Sequence, residues 1–475
     1  MADRREAVLG LDLGTTEAKA GLIDLRGRLL GLGRAPIAMA SGPDGRAEQD
    51  PRDWWSAVAA AVRSARASAG GAGASDARVL AICAVGQGPT LAVVDEAGEY
   101  VRPAITWQDR RPHAAGVGGG FGLLPAIGWL TAAEPEAVAG ARWLLASWDA
   151  LGLWLTGRAA TSLQGHEAPI AAGDLARAGV DAGCVPEPVP FGSLLGTLRA
   201  GAAEVLGLPS GIPVVAGVND GTASMLGAGL DGAGDAVDTG GTSGGLGVYA
   251  EHALAVPGLF AAPAPLPGRW VVGGAMAATG AAVEWLRGVV LGGRWTMDEL
   301  FASASSVPMG VDGLVFLPYL AGERAPIFDD AARGAFVGLT VAHGPEHLAR
   351  AVLEGAAYAL RHVAEPIAAA GAPICELRPA GRPIPGDAWA RIKSDVLGVP
   401  VGIPAVGETA VLGAAILAAA GVGAASDLEA GVRSMTSVAR RLEPDPAAHE
   451  RATAAFAVYR DLYPALAPTF HRATT

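Results

Sequence analysis

Two short turns in this chain carry the residue types needed to hold phosphate. The first is Leu11-Asp12-Leu13-Gly14-Thr15-Thr16, followed by Lys19. The second is Val237-Asp238-Thr239-Gly240-Gly241-Thr242-Ser243-Gly244-Gly245. Each runs from an apolar stretch into an acid, a glycine and a threonine. Glycine lets a bulky anion approach the backbone and leaves N–H groups free to point at its oxygens. Threonine adds a hydroxyl donor, and the aspartate can hold a metal ion through water. Either turn alone is weak evidence, because ordinary hairpins use the same residues. One in each half of the chain suggests a nucleotide phosphate tail gripped from both sides.

The elements around these turns read as alternating strands and helices. Val8 to Leu13, Lys19 to Asp24 and a stretch from Leu29 form a β-meander. Asp50-Pro51-Arg52-Asp53 starts a helix, with Trp54, Trp55, Val58 and Val62 at helical spacing. Val79 to Val85 is a buried strand ending at Gly86-Gln87-Gly88, and Leu91 to Asp95 is another. Ile212 to Gly217 is a strand running into Asn219-Asp220-Gly221, with a helix from Thr222 to Leu230. The second half repeats the scheme from Ala236. Helices are expected near Ala281–Val290, His347–Ala364, Ala388–Leu397 and Val411–Ala420, and a helical segment interrupted at Pro444 and Pro446 over Arg433 to Pro464. The boundary is placed near residue 250, giving domains 1–249 and 250–475.

Composition bounds the function. At 475 residues the chain is long enough for two large domains. A net charge of -12 with no basic stripe argues against nucleic acid as a partner and gives no pull toward anionic membranes. Cys83, Cys184 and Cys375 have no metal or disulfide spacing, which fits a reducing cytoplasm. The residues before Ala7 lack an apolar h-region and cleavage site, so no signal peptide is expected. Two uncharged stretches could be checked as membrane spans. Pro112 to Ala133 is broken by His113, Pro125 and glycines and reads as a loop, and Thr409 to Ser426 reads as a buried helix. The expectation is a cytoplasmic protein.

The chain resembles the FGGY carbohydrate kinases, which share the α/β, two-domain actin-like ATPase (ribonuclease H-like) fold with an interdomain active-site cleft. The resemblance rests on Leu11 to Thr16 with Lys19, on Glu48-Gln49-Asp50-Pro51 with Trp54-Trp55, and on Ile105-Thr106-Trp107-Gln108-Asp109-Arg110-Arg111. Its most specific part is Gly334-Ala335-Phe336-Val337-Gly338-Leu339, continuing to His347-Leu348, Ala351-Val352-Leu353 and Glu354. Tyr319 to Pro326 looks most like the xylulokinase branch.

The resemblance implies phosphoryl transfer from ATP, with Mg2+, to a hydroxyl of a sugar or polyol, most like a xylulose-type ketose. It places the catalytic base at Asp220, which by spacing alone is equally a helix N-cap. It implies Asp12 as the metal-side carboxylate and Gly14, Thr15, Thr16, Lys19, Gly241, Thr242, Ser243 and Gly280 as nucleotide contacts. Gln87, Gly88, Trp107, Asp109, Arg110 and Asp220 become the sugar contacts. For Trp107, core packing is an even alternative, and Arg110 with Arg111 also reads as a solvated pair.

Two departures stand out. In the adenine motif Gly381 is kept, Arg382 replaces a second glycine, and Gly386 stands where a polar residue is usual. In the sugar motif Gly88-Pro89 replaces a Met-His pair, and Gly221 replaces an Asn after the base. They keep open a degenerate homologue that binds sugar or nucleotide without efficient turnover, or a kinase for glycerol or erythritol. An Hsp70- or actin-like ATPase is disfavoured by the C-terminal signature and the Trp107 to Arg111 segment. A homodimer is one candidate assembly.

Overall fold

The apolar run after Glu6 has no polar side chain before Asp12, and it forms a strand buried on both faces. This is β1 (Glu6–Leu13). The structure, a computed structural model, describes residues 6–71, 77–114, 122–163, 170–241, 243–380 and 387–474. β2 (Glu17–Asp24) and β3 (Leu29–Pro36) follow β1 as an antiparallel meander. Helix α1 (Pro51–Gly71) then leads to β4 (Arg78–Gly86), which runs parallel to β1. β5 (Leu194–Thr197) and β6 (Pro213–Val215) complete the sheet in the order β5-β6-β4-β1-β2-β3. β6 is parallel to β4, so β6, β4 and β1 end at the same edge. A smaller antiparallel sheet follows the order Ala40–Ser41, Ala47–Gln49, Ala104–Ile105, Leu91–Val94, Trp143–Ala146.

This first unit spans residues 1–229 and takes back residues 409–436. The returning helix Thr409–Gly421 packs on β1 and on helix α3 (Asp220–Gly227), with helix α2 (Ser147–Thr156) packed against β4. Backbone contact sets the helix crossing. A Cβ on Gly413 would stand 1.9 Å from the Ala223 carbonyl oxygen, and one on Gly227 would stand 1.9 Å from that of Thr409.

The second unit holds residues 230–408 and 437–475. The chain therefore divides ahead of the second Gly-Thr turn, whereas a split at residue 250 leaves that turn in the first half. β7 (Asp235–Asp238), β8 (Gly244–Ala250), β9 (Phe260–Pro263) and β10 (Trp270–Met276) pair antiparallel. Helix α4 (Pro345–Ala369) leads to β11 (Glu376–Pro379), parallel to β7, and helix α5 (Ala388–Leu397) to β12 (Val401–Pro404). β13 (Val438–Leu442) closes the order β9-β10-β8-β7-β11-β12-β13. The plan resembles that of the first unit: antiparallel strands, then parallel strands added beside the first of them. Asp12 and Asp238 occupy corresponding places near the ends of β1 and β7.

Three expectations meet different outcomes. The stretch Thr409–Gly421 is the buried helix expected, and no described helix is long and apolar enough to cross a membrane. Pro112 to Ala133 is not simply a loop. Leu124–Ala133 is a helix with Pro125 in its first turn, where the missing N–H costs nothing, and it buries Ile127 and Leu130. The Arg433 to Pro464 region is a strand between two helices. β13 pairs with β12, and helix α6 (Pro446–Thr474) then runs on through Pro464 and Pro468. The expected glycine-rich loop at 115–122 lies almost wholly outside the described residues.

Candidate active site

The first unit gathers its polar residues where the parallel strands end. Leu13 lies opposite Gly86, and Gly86 is bridged to Asn219. The Gln87 amide donates to the Leu13 carbonyl at 2.8 Å, and the Gly86 amide to that of Val218 at 3.3 Å. The residues that follow are thereby brought together: Gly14-Thr15-Thr16, Gln87-Gly88 and Asp220. The carboxyl ends of parallel strands are the usual ligand site of open α/β sheets.

Asp220 is the first residue of α3 and is half-buried. The N-cap is Asn219, whose side chain accepts the Thr222 amide at 2.7 Å. The Asp220 carboxylate is thus outside the cap; its Oδ1 takes the Gly221 amide at 2.8 Å, and the carboxylate is also bonded by its own backbone amide. Burial, and next the charge of Asp12, push it up to about 7. The nearby Lys19 ammonium acts the other way. A carboxylate in that range can take a proton near neutral pH.

Asp12 is 4% exposed and faces Lys19 across the β1–β2 ladder, Nζ to Oδ2 at 3.4 Å. Lys19 also lies 3.9 Å from Glu17. The fit of this place to a divalent cation follows from charge, since a cation at Asp12 would relieve the repulsion that raises Asp220. No group of three or more His, Cys, Asp or Glu suited to a metal exists among the described residues. A Mg2+ ion here would take most of its ligands from phosphate and water, as Mg2+ commonly does.

The remaining expected contacts of this unit divide. Thr15 is half-buried, Thr16 is exposed, and the Trp107 indole donates to Thr15 Oγ1 at 2.9 Å. Gln87 is fully buried, its Oε1 lacks a partner among the described residues, and Gly88 is half-buried. Asp109 is occupied: it binds Arg111 through both oxygens and the Ala47 amide at 3.1 Å. Arg111 also pairs with Glu48 and lies 4.3 Å over the Trp129 ring, so it is not one of a solvated pair. Arg110 is exposed.

A buried network around Asp149 was not foreseen. Asp149 on α2 accepts the Thr161 hydroxyl at 2.9 Å and the Ser162 amide at 3.1 Å. Ser162 Oγ takes the Trp148 indole N–H at 3.0 Å and lies 2.9 Å from Asp149 Oδ1 and 2.8 Å from the Gly217 carbonyl. One hydroxyl proton cannot serve both acceptors. The inventory closes when Asp149 is protonated, donates to Ser162, and Ser162 donates to Gly217. Burial pushes Asp149 up to about 7, in accord with that state. The signal in the sequence was a lone acid inside the apolar run Trp143 to Leu155.

In the second unit the Gly280 amide donates to the Gly241 carbonyl at 3.1 Å, so two of the expected nucleotide contacts are adjacent. Gly241 is exposed and Ser243 half-buried. Thr242, Gly381, Arg382 and Gly386 lie outside the described residues. Asp238 differs from Asp12 in its partner. It is bonded to Lys393 of α5, and that ammonium sits 4.0 Å from the Trp389 ring centroid. Glu323 fixes the approach to Gly280, accepting the Ala277 amide at 2.8 Å and the Arg324 amide at 2.7 Å. The signature acid Glu354 bonds Arg350, Tyr358 and the Gly310 amide, a structural task inside the second unit.

The N-terminal and C-terminal domain models of the FGGY family of carbohydrate kinases match residues 7–116 and 236–422. The chain belongs to the FGGY family of carbohydrate kinases. A xylulose kinase of Staphylococcus epidermidis is 28% identical over 97% of each chain. A glycerol kinase of Thermus brockianus is 32% identical over 88% of this chain and 90% of its own. The crystal structure of a xylulose kinase from Rhodospirillum rubrum superposes with a TM-score of 0.83 at 29% identity, covering 98% of this chain and all of that one. The FGGY chain thus has the two-domain actin-like ATPase fold and is an ATP-dependent carbohydrate kinase.

Proposed function

We propose that this FGGY kinase phosphorylates a xylulose-type ketose, with Asp220 as the general base. The observation that carries the base is a carboxylate at the start of α3, freed from capping by Asn219 and raised by burial and by Asp12 to about 7. Similarity to xylulose kinases over nearly the full chain supports the acceptor class.

In the reaction, Asp220 takes the proton of the attacking hydroxyl. The oxygen attacks the γ-phosphorus in line, a new O–P bond forms, and the bond to the ADP oxygen breaks. No phosphoenzyme is required. Gly14, Thr15 and Thr16 offer backbone and hydroxyl donors to the phosphates, and Lys19 supplies positive charge beside Asp12. Asp12 would hold Mg2+ through water, and the ion when bound neutralises charge on the phosphates. Gly241, Ser243 and Gly280 are the second unit's proposed nucleotide contacts, with Thr242, Gly381, Arg382 and Gly386 beside them in sequence. Gln87, Gly88 and Trp107 are the proposed acceptor contacts. Asp109 supports this segment through Arg111, and Arg110 flanks it.

The glycerol kinase relative gives a second reading, in which the acceptor is a smaller polyol. An ADP-release assay across ketopentoses, glycerol and erythritol decides between them. A xylulose-type ketose is expected to give the largest kcat/KM. A preference for glycerol moves the assignment to the polyol reading, and no ADP release with any acceptor supports the degenerate homologue.

A further inference from the structure

Thr15 is held by two side chains whose bonds can run in only one direction. Trp107 Nε1 donates to Thr15 Oγ1 at 2.9 Å, and an indole N–H cannot accept. Gln49 Nε2 donates to the Thr15 carbonyl at 2.6 Å. The far end of that amide fixes its orientation. Gln49 Oε1 accepts from Trp54 Nε1 at 3.1 Å and from Gln87 Nε2 at 2.6 Å. Trp54 can only donate, so the oxygen must face it and the nitrogen must face Thr15. Gln49 is 1% exposed and Trp54 fully buried, so water does not compete for these bonds.

A threonine hydroxyl has one proton and two lone pairs. Trp107 fills one lone pair and leaves the proton. Gln49 occupies the carbonyl and so fixes the peptide that follows. Among the described residues no acceptor is bonded to the hydroxyl proton, and Thr15 is only half-buried.

We propose that Gln49 and Trp107 are positioning residues that lock Thr15 so that its hydroxyl proton is presented to the phosphoryl group being transferred. This rests on reading the Gly14 to Thr16 turn as a phosphate site. It gives the Trp107 N–H a task distinct from any contact its ring makes with the acceptor. The segment that carries the proposed sugar contacts is tied by this bond to the phosphate turn. Gln49 in turn joins the turn to α1 through Trp54 and to the end of β4 through Gln87.

The test uses Thr15→Val, Trp107→Phe and Gln49→Glu in the full chain, with ATP kinetics at saturating acceptor and a thermal melt. Trp107→Phe keeps an aromatic ring and loses the N–H. Gln49→Glu keeps an acceptor for Trp54 and Gln87 and loses the donor to Thr15. Each variant is expected to lower kcat/KM for ATP by about three- to tenfold, the worth of one hydrogen bond. The Trp107→Phe/Thr15→Val double variant is expected to lose no more than Thr15→Val alone, because both remove the same bond. Wild-type ATP kinetics in Trp107→Phe and Gln49→Glu beside an impaired Thr15→Val would overturn the inference and leave the phosphate reading standing. Additive losses in the double variant would overturn it too. An unimpaired Thr15→Val would sink both. If Gln49→Glu does not fold, Trp107→Phe, at a partly exposed position, decides alone.

Discussion

Asn219 and Asp220 divide two tasks that an aspartate at a helix start would otherwise combine. Asn219 Oδ1 accepts the Thr222 amide at 2.7 Å and caps α3, which leaves the Asp220 carboxylate at the first helical residue, bonded by the Gly221 amide and its own and not serving as the cap. The cap and the proposed base can therefore be removed separately.

Asn219→Ala is expected to lower stability by about 1 kcal/mol, the usual cost of a lost side-chain cap. Asp220→Asn is expected to melt at or above the wild-type temperature at pH 8, because it removes a charge held in a poorly solvated place. Paired thermal melts measure both. A large destabilisation in Asp220→Asn would mean that its carboxylate serves the fold.

The pH profile follows from the same carboxylate. Its value is raised to about 7, by burial first and by Asp12 second. A general base works only when ionised, so kcat/KM should fall on the acid side with a midpoint about 7. A profile flat down to pH 5 would contradict the assignment.

Asp149 predicts a pH effect on stability instead. Its pKa is raised to about 7 from an ordinary 3.8, so between those values the folded state binds more protons than the unfolded chain. Its contribution is full below the lower value and is lost as pH rises through the upper one. Asp149→Asn keeps a donor for Ser162 and should remove this part of the pH dependence, while Asp149→Ala should destabilise at every pH. Denaturant melts between pH 4 and 8 check this, and an unchanged pH slope in Asp149→Asn would show that the carboxyl is ionised throughout.

Lys393 and Asp238 form a buried pair in the second unit, with side chains 9% and 4% exposed. Removing one partner strands the other charge, so Lys393→Met should cost about 3–5 kcal/mol. Adding Asp238→Asn to it should recover much of that loss. A double-mutant cycle by chemical denaturation measures the coupling, and additive losses would mean that the two groups act independently.

Much of the architecture was legible because the apolar runs are unambiguous. Val8 to Leu13 and Ala388 to Leu397 form the expected strand and helix, and the two Gly-Thr turns mark sheets of similar plan. Prolines were harder to read. Pro125 starts a helix and Pro464 lies inside one, because neighbouring packing decides whether a missing N–H matters. The division into units was hidden because Thr409–Gly421 returns to β1 from far along the chain, which no local pattern records. In the candidate site, Asp12 and Thr15 stand out by residue type in a Gly-Thr turn, whereas Gln87 and Asp220 are singled out by the family resemblance. The pairings around it could not be read from sequence: Gln49 bonds Thr15, Asp149 bonds Ser162 and Lys393 bonds Asp238, and only folding joins each to its partner.

The most direct measurement is the rate of ADP release by Asp220→Asn against wild type, at saturating ATP and the preferred ketose. Loss of the proposed base is expected to slow turnover by about a hundred- to ten-thousandfold, with the protein still folded. A rate within about twofold of wild type, the scale of a peripheral contact, would contradict Asp220 as the base.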